Sequence, residues 1–80
     1  LTVYPNPSNG NFTLEMELAA AGSVSLQVFN LIGAKVWENQ KEGNAGNNSF
    51  AISAPELQNG TYLLKATVNG SEITKTIQIQ

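Results

Sequence analysis

The fold is decided by the stretch Asn11-Phe12-Thr13-Leu14-Glu15-Met16-Glu17-Leu18, in which polar and apolar residues alternate without a break. A period of two places every second side chain on the same face of an extended chain, whereas a helix would need apolar residues three and four positions apart. The stretch therefore predicts a β-strand with one face in water and one buried face, formed by Phe12, Leu14, Met16 and Leu18.

Similar alternation on both sides of this stretch predicts further strands at residues 1–4, 23–30, 34–40, 49–53, 61–68 and 71–80. In the last strand, Ile77 and Ile79 lie on the same face as Ile73 and Lys75. The even-numbered residues, all polar, lie on the opposite face. The residues that we expect to face inward in the later strands are Val24, Leu26, Val28, Phe50, Ile52, Tyr62, Leu64, Ala66, Val68, Ile77 and Ile79.

Turn residues separate most of these strands. Asn30-Leu31-Ile32-Gly33 predicts a tight turn, because the Asn30 side chain can bond the backbone two residues on and Gly33 can adopt a positive φ. Asn69-Gly70 predicts a type I′ hairpin turn. Residues 41–48 are rich in glycine and asparagine and predict a hairpin loop.

About seven strands at 8 to 12 residue spacing, with no visible helix, indicate an all-β fold: an Ig-like or fibronectin-like antiparallel β-sandwich. The stretch Leu57-Gln58-Asn59-Gly60-Thr61-Tyr62 supports this architecture. A glycine turn lies two residues before a tyrosine at the start of a strand, and we expect the Tyr62 hydroxyl to bond back to the chain as a tyrosine corner.

Composition excludes most chemistry. The chain has 80 residues and contains no histidine, cysteine, arginine or aspartate, so it offers no Ser-His or Cys-His pair, no imidazole or thiolate metal ligand and no disulfide. A net charge of −2 argues against nucleic acid and anionic membranes as partners. We therefore expect one domain that is not an enzyme, binds no metal or cofactor, does not insert into a membrane and is a monomer.

The candidate sites have simpler structural explanations. Glu15 and Glu17 lie on one strand face at a separation suited to paired carboxylates, but nothing near them could tune their pKa values. Residues 43–48 lack the Lys-Ser or Lys-Thr of a phosphate loop, and residues 38–48 hold only two carboxylates for calcium. Two explanations stay open for Trp37: packing at the core or sheet edge, or an anchor for a partner.

Four ordered motifs carry a family resemblance. They are Tyr4-Pro5-Asn6-Pro7 followed by Asn9-Gly10-Asn11-Phe12, the run from Leu26 to Val36, Leu57-Gln58-Asn59-Gly60-Thr61-Tyr62-Leu63-Leu64, and Lys75-Thr76-Ile77 with Ile79. Together they resemble the type A C-terminal sorting domain of the type IX (Por) secretion system. The resemblance covers nearly the whole chain, although the last strand has one lysine where family members often have more.

The resemblance implies a sorting domain at the C-terminus of a larger secreted protein of the Bacteroidota type, with residues 1–80 as that single domain. An N-terminal cargo domain and an upstream signal peptide are then expected, with export through the periplasm to the cell surface or beyond. The implied partners are the type IX translocon, its shuttle components and a sortase-like surface peptidase. The implied recognition residues are Pro5, Asn6, Pro7, Gly60, Tyr62, Lys75, Ile77 and Ile79.

A terminal strand at a sheet edge suggests how such a domain could be read, because a partner can add a strand to its unpaired backbone groups. Our hypothesis is strand addition along residues 71–80. Simpler explanations are sandwich core for Ile77 and Ile79, and a stiff, extended start of the domain for Pro5 and Pro7. The competing functions are a carbohydrate- or protein-binding accessory sandwich, which would show a row of exposed aromatic residues, and a structural spacer.

Overall fold

The computed structural model describes residues 1–80, and all of its regular elements are β-strands. The strands are β1 (Thr2–Tyr4), β2 (Asn11–Leu18), β3 (Gly22–Phe29), β4 (Lys35–Gly43), β5 (Gly46–Ser53), β6 (Gly60–Val68) and β7 (Ser71–Ile79). They form two antiparallel sheets, one of three strands in the order β1-β2-β5 and one of four in the order β4-β3-β6-β7. The predicted all-β antiparallel sandwich of seven strands is confirmed.

The core lies between the two sheets and follows the alternation of the sequence. Phe12, Leu14, Met16 and Leu18 of β2 are all buried, as predicted. They belong to a cluster of 17 buried apolar residues that draws on every strand except β4. In β3 the inward residues Val24, Leu26 and Val28 have no exposed surface, because β3 lies inside the larger sheet and is paired on both sides.

The prediction of a hairpin loop over residues 41–48 is wrong. β4 continues to Gly43 and β5 begins at Gly46, so only two residues connect them, and the two strands belong to different sheets. Pairing with neighbouring strands overrides the weak local strand preference of this polar stretch. On one side Glu42 pairs with Ser23, whose hydroxyl donates to the Glu42 carboxylate at 2.7 Å. On the other side Asn47 pairs with Glu17 of β2.

Two turns form as predicted. The Asn30 side-chain oxygen accepts hydrogen bonds from Ile32 N at 3.2 Å and from Ala34 N at 2.9 Å, and Gly33 has a φ of +89°. Asn69 and Gly70 both have positive φ, at 51° and 80°, which is the conformation of a type I′ turn. This second turn makes β6 and β7 a tight hairpin and fixes the register of the last strand.

The sheet order places β7 at one edge of the larger sheet and β4 at the other. β7 pairs with β6 along its full length, from Ser71 opposite Val68 to Ile79 opposite Gly60. The predicted position of the terminal strand at a sheet edge is therefore confirmed. Its outer side is the part of the fold that the candidate site depends on.

Candidate functional site

Residues 5–8, here called the Pro-Asn-Pro bend, lie against the outer edge of β7. The Asn6 side chain contacts the strand twice: its Oδ1 accepts from Gln78 N at 2.9 Å, and its Nδ2 donates to the Thr76 carbonyl at 3.3 Å. Ser8 continues the contact, since Ser8 N donates to the Gln78 carbonyl at 3.0 Å and the Ser8 carbonyl accepts from Gln80 N at 2.7 Å. Four hydrogen bonds thus join the beginning of the domain to its end.

The bend is held in place by the residues that follow it. Ser8 is buried, and its hydroxyl accepts from Gly10 N at 3.2 Å. The Gly10 carbonyl in turn accepts from Ala54 N at 2.8 Å, just after β5. Gly10 has a φ of +103°, and a Cβ at this position would lie 2.8 Å from the Ala54 carbonyl oxygen, so both its conformation and this close approach require glycine.

Pro5 and Pro7 do not form the stiff, extended start considered from the sequence. Residues 5–7 are bent, and the peptide bonds before both prolines are cis. The bend brings Asn6 and Ser8 into contact with the backbone of β7, where their hydrogen bonds fix the path of the chain. Among the three predicted residues here, Asn6 makes the side-chain contacts with the terminal strand.

The outer edge of β7 is covered over only part of its length. The bonds from the bend fall on Thr76, Gln78 and Gln80, which shows that the even-numbered residues of β7 direct their backbone groups away from β6. By the same alternation, Glu72 and Thr74 also point their N–H and C=O groups outward, and neither has a partner within the chain. We call residues 71–75 the open edge.

The side chains in the two halves of β7 also differ in burial. Ile77 and Ile79 are buried, at 1% and 3% exposure, and belong to the core. Ile73 and Lys75 share their parity but are exposed, and Ile73 retains 40% of its surface in water. The first half of the strand thus contributes little to the core, and Lys75 forms no ion pair there.

Tyr62 forms the predicted tyrosine corner. Its hydroxyl donates to the Gln58 carbonyl at 2.6 Å, and its ring is buried in the core opposite Ile77 of β7. Gly60 opens β6 next to this ring. Gly60 pairs with Ile79 and Tyr62 with Ile77, so both flank the end of β7 on the side opposite the Pro-Asn-Pro bend, whereas Lys75 pairs with Leu64 farther along the strand.

A shallow groove runs across the outer face of the larger sheet next to the open edge. Phe29, Leu31 and Leu63 supply its apolar wall, and Lys65 and Thr74 lie at the side nearer β7. The Lys65 ammonium lies 5.2 Å from the centre of the Phe29 ring and 3.5 Å from a carboxylate oxygen of Glu72. The groove therefore combines apolar surface with a lysine that already has a carboxylate partner.

The aromatic residues do not form an exposed row, because Tyr4 is exposed, Phe29 and Trp37 are half-buried, and the other three are buried. Tyr4 lies on the smaller sheet, whereas Phe29 lies on the larger one. Trp37, on the edge strand β4, is half-buried and packs against the core, while Val36 next to it is exposed. This packing is the first of the two explanations considered for Trp37.

Glu15 carries a tyrosine partner. The Tyr4 hydroxyl donates to Glu15 Oε2 at 3.0 Å, and this hydrogen bond, followed by desolvation and the Glu15 charge, raises the pKa of the Tyr4 phenol above its ordinary value. No group of three or more His, Cys, Asp or Glu residues is placed to hold a metal ion. The structure also contains no helix with the length and apolarity needed to cross a membrane.

Sequence reasoning missed Ser8 as part of this site. Ser8 is the one buried polar residue of the domain, and nothing in its sequence neighbourhood distinguishes it from other turn serines. Its contacts are with residues about seventy positions away, so they become visible only once the sheet order is known.

These features define a small antiparallel β-sandwich whose terminal strand lies at a sheet edge and is held at its end by the Pro-Asn-Pro bend. The chain belongs to the family described as "Secretion system C-terminal sorting domain", whose family model matches residues 2–80. The type IX sorting family indicated by the four motifs is thereby confirmed.

A curated relative gives a second comparison. The chain is 31% identical over 77 residues to a protein named ulvan lyase NLR42 from Nonlabens ulvanivorans. The match covers 92% of this chain but 13% of that protein. The shared part is therefore a small portion of a much longer protein.

Proposed function

We propose that this domain is the C-terminal sorting signal of a larger secreted protein and directs an N-terminal cargo through the type IX outer-membrane translocon. Family membership supports the sorting role, and the small share of the lyase that the domain matches supports a separate cargo region. A signal peptide upstream of the cargo would bring the whole protein to the periplasm. The sorting domain itself is not catalytic.

The terminal strand β7 is the part of the domain that the translocon or its shuttle components recognise. The observation that carries this proposal is the position of β7 at a sheet edge, with outward N–H and C=O groups that have no partner at Glu72 and Thr74. Strand addition to such an edge gives affinity through main-chain hydrogen bonds. Pro5, Asn6, Pro7, Gly60 and Tyr62 keep the strand in position, and Lys75, Ile77 and Ile79 belong to the strand itself.

After translocation, a sortase-like peptidase removes the domain, and the cargo is attached to the cell surface or released. The accessory binding module is less well supported, because Tyr4 and Phe29 lie on different sheets and form no stacking platform. No observation favours a structural spacer over the sorting role.

The test is a fusion of residues 1–80 behind a signal peptide and a fluorescent reporter in a type IX-competent host. We expect reporter on the surface of the host and in the periplasm of a strain lacking the translocon. Deletion of residues 75–80 should abolish surface delivery, with folding of the variant checked by protease resistance because Ile77 and Ile79 are lost. Reporter that stays folded in the periplasm of both strains would contradict the sorting role.

A further inference from the structure

The outer edge of β7 offers a partner fewer positions than its length suggests. Asn6 and Ser8 already bond Thr76 O, Gln78 N, Gln78 O and Gln80 N. We propose that the partner adds an extended segment, as a fifth strand of the larger sheet, to the open edge (residues 71–75) alone. This inference rests on the proposed function. It deepens that function by naming the residues that the partner recognises and the chemistry of the partner segment that binds them.

The open edge presents backbone groups rather than a strong side-chain patch. Glu72 and Thr74 each direct one N–H and one C=O outward, which allows up to four hydrogen bonds to an added strand. Strand side chains stand roughly perpendicular to the sheet, so those of the open edge leave the approach in the plane of the sheet free for an added strand. Main-chain pairing is therefore the interaction that this stretch is best suited to make.

The two faces of the open edge differ, and the difference specifies the partner. On the outer face, Thr74 borders the groove whose apolar wall includes Phe29 and Leu63. On the opposite face, Lys75 is exposed and has no carboxylate partner. Since alternate residues of a strand face opposite sides, the fitting segment carries an apolar side chain toward the groove and an acidic one toward Lys75.

The other edge of the larger sheet is less suited to strand addition. β4 contains a bulge where Val36 has no opposite residue in β3. A bulge is one of the features by which natural proteins discourage pairing at an edge. The open edge of β7 contains no bulge, and no segment of the chain covers it.

Proline substitutions in the full-length precursor test the proposal. The Thr74 N–H points away from β6, so Thr74→Pro removes a donor from the open edge and leaves the β6–β7 hydrogen bonds intact. Gln40→Pro is the matched control, because the Gln40 N–H also points outward, from β4, and bonds only the side chain of Asn39. Glu72→Pro is a second variant of the first kind.

We expect Thr74→Pro and Glu72→Pro to lower translocon-dependent surface delivery about ten-fold, the effect of losing one or two backbone hydrogen bonds, with Gln40→Pro close to the unsubstituted precursor. Equal delivery of Thr74→Pro and Gln40→Pro would overturn the proposal and leave the sorting role standing. Failure of the unsubstituted precursor to depend on the translocon would instead contradict the sorting role itself.

A side-chain probe covers the case in which the proline variants do not fold. A photo-crosslinking amino acid at Thr74 or at Gln40 leaves the backbone unchanged. We expect a crosslink to a translocon or shuttle component from position 74, missing in a strain without the translocon, and none from position 40. No crosslink from position 74 in cells that still deliver this variant to the surface would overturn the proposal.

Discussion

Asn6 and Gln78 are joined by a hydrogen bond of 2.9 Å although 72 positions separate them in the chain. Through this bond and the one to Thr76, a single amide side chain satisfies two backbone groups of an edge strand, a donor and an acceptor. An asparagine suits this position because its side chain offers both an acceptor and donors. The Pro-Asn-Pro motif thus shapes the start of the domain and also binds the outer edge of its last strand.

Replacing Asn6 should free the Gln78 amide. Asn6→Ala removes its acceptor, and we expect amide exchange at Gln78 to accelerate about ten-fold or more and the free energy of unfolding to fall by about 1 kcal/mol. Asn6→Asp keeps an acceptor for Gln78 and should retain most of the protection. Asn39→Ala is the control, because the Asn39 side chain bonds only the backbone N–H of its neighbour Gln40. Unchanged exchange at Gln78 in Asn6→Ala would argue against the contact.

The tyrosine corner should contribute measurably to stability. Tyr62→Phe removes the hydroxyl that donates to the Gln58 carbonyl at 2.6 Å and should lower the free energy of unfolding by about 1 kcal/mol. Urea denaturation would show this as a lower midpoint with an unchanged slope. Tyr4→Phe is the matched control. Tyr4 is 44% exposed, so the loss of its hydroxyl should change the midpoint less. Equal midpoints for the two variants would contradict the corner.

The two halves of β7 should differ in their contribution to folding. Ile77 is 1% exposed, and Ile77→Ala should cost about 3 kcal/mol through lost contacts and a cavity. Ile73 is 40% exposed, and Ile73→Ala should cost about 1 kcal/mol or less. Chemical denaturation of both variants measures the difference. Similar losses at the two positions would mean that the first half of β7 is packed in solution.

Gly10 should tolerate substitution less well than Gly33. Both have positive φ, but a Cβ on Gly10 would lie 2.8 Å from the Ala54 carbonyl oxygen, and a Cβ on Gly33 would meet nothing within 4 Å. Gly33→Ala should therefore cost about 1 kcal/mol for backbone conformation alone, and Gly10→Ala about 3 kcal/mol. Thermal unfolding of both variants provides the measurement. A lower melting temperature for Gly33→Ala than for Gly10→Ala would contradict this order.

The raised pKa of Tyr4 predicts how its ionisation affects stability. Because the folded-state pKa lies above the unfolded value, the Tyr4 contribution is fully present below the unfolded pKa and is lost as pH rises through the folded pKa. Glu15→Gln removes the carboxylate and should bring the pKa of Tyr4 back toward its ordinary value. Glu17→Gln, on the same strand face, is the control. Carbon NMR of the Tyr4 ring would follow both titrations, and equal effects would contradict the role of Glu15.

The sequence predicted the strands well where burial and alternation coincide. Polar and apolar residues alternate in Phe12 to Leu18 and in Val24 to Val28, because one face of each strand packs on the core. This alternation predicts the strands correctly. Residues 41–48 were misassigned because their strands are held by pairing with β3 and β2 rather than by inward side chains. Local composition does not record such pairing.

The candidate site was only partly predictable for a related reason. The edge position of β7 could be inferred from its place at the end of the domain, and the Asn69-Gly70 turn fixed its pairing with β6. The cover supplied by Asn6 and Ser8 depends on how the smaller sheet stacks on the larger one. It is therefore a property of the assembled sandwich and not of the Pro-Asn-Pro motif alone.

The parallel bridge between Ser8 and Ile79 also has a mechanical consequence. Segments that run side by side in the same direction slide past one another when the two ends of the domain are pulled apart. Such sliding loads the hydrogen bonds of Asn6 and Ser8 together, in shear, instead of opening them one at a time. Tension between a cargo at one end and a machine gripping the other would therefore load this contact directly.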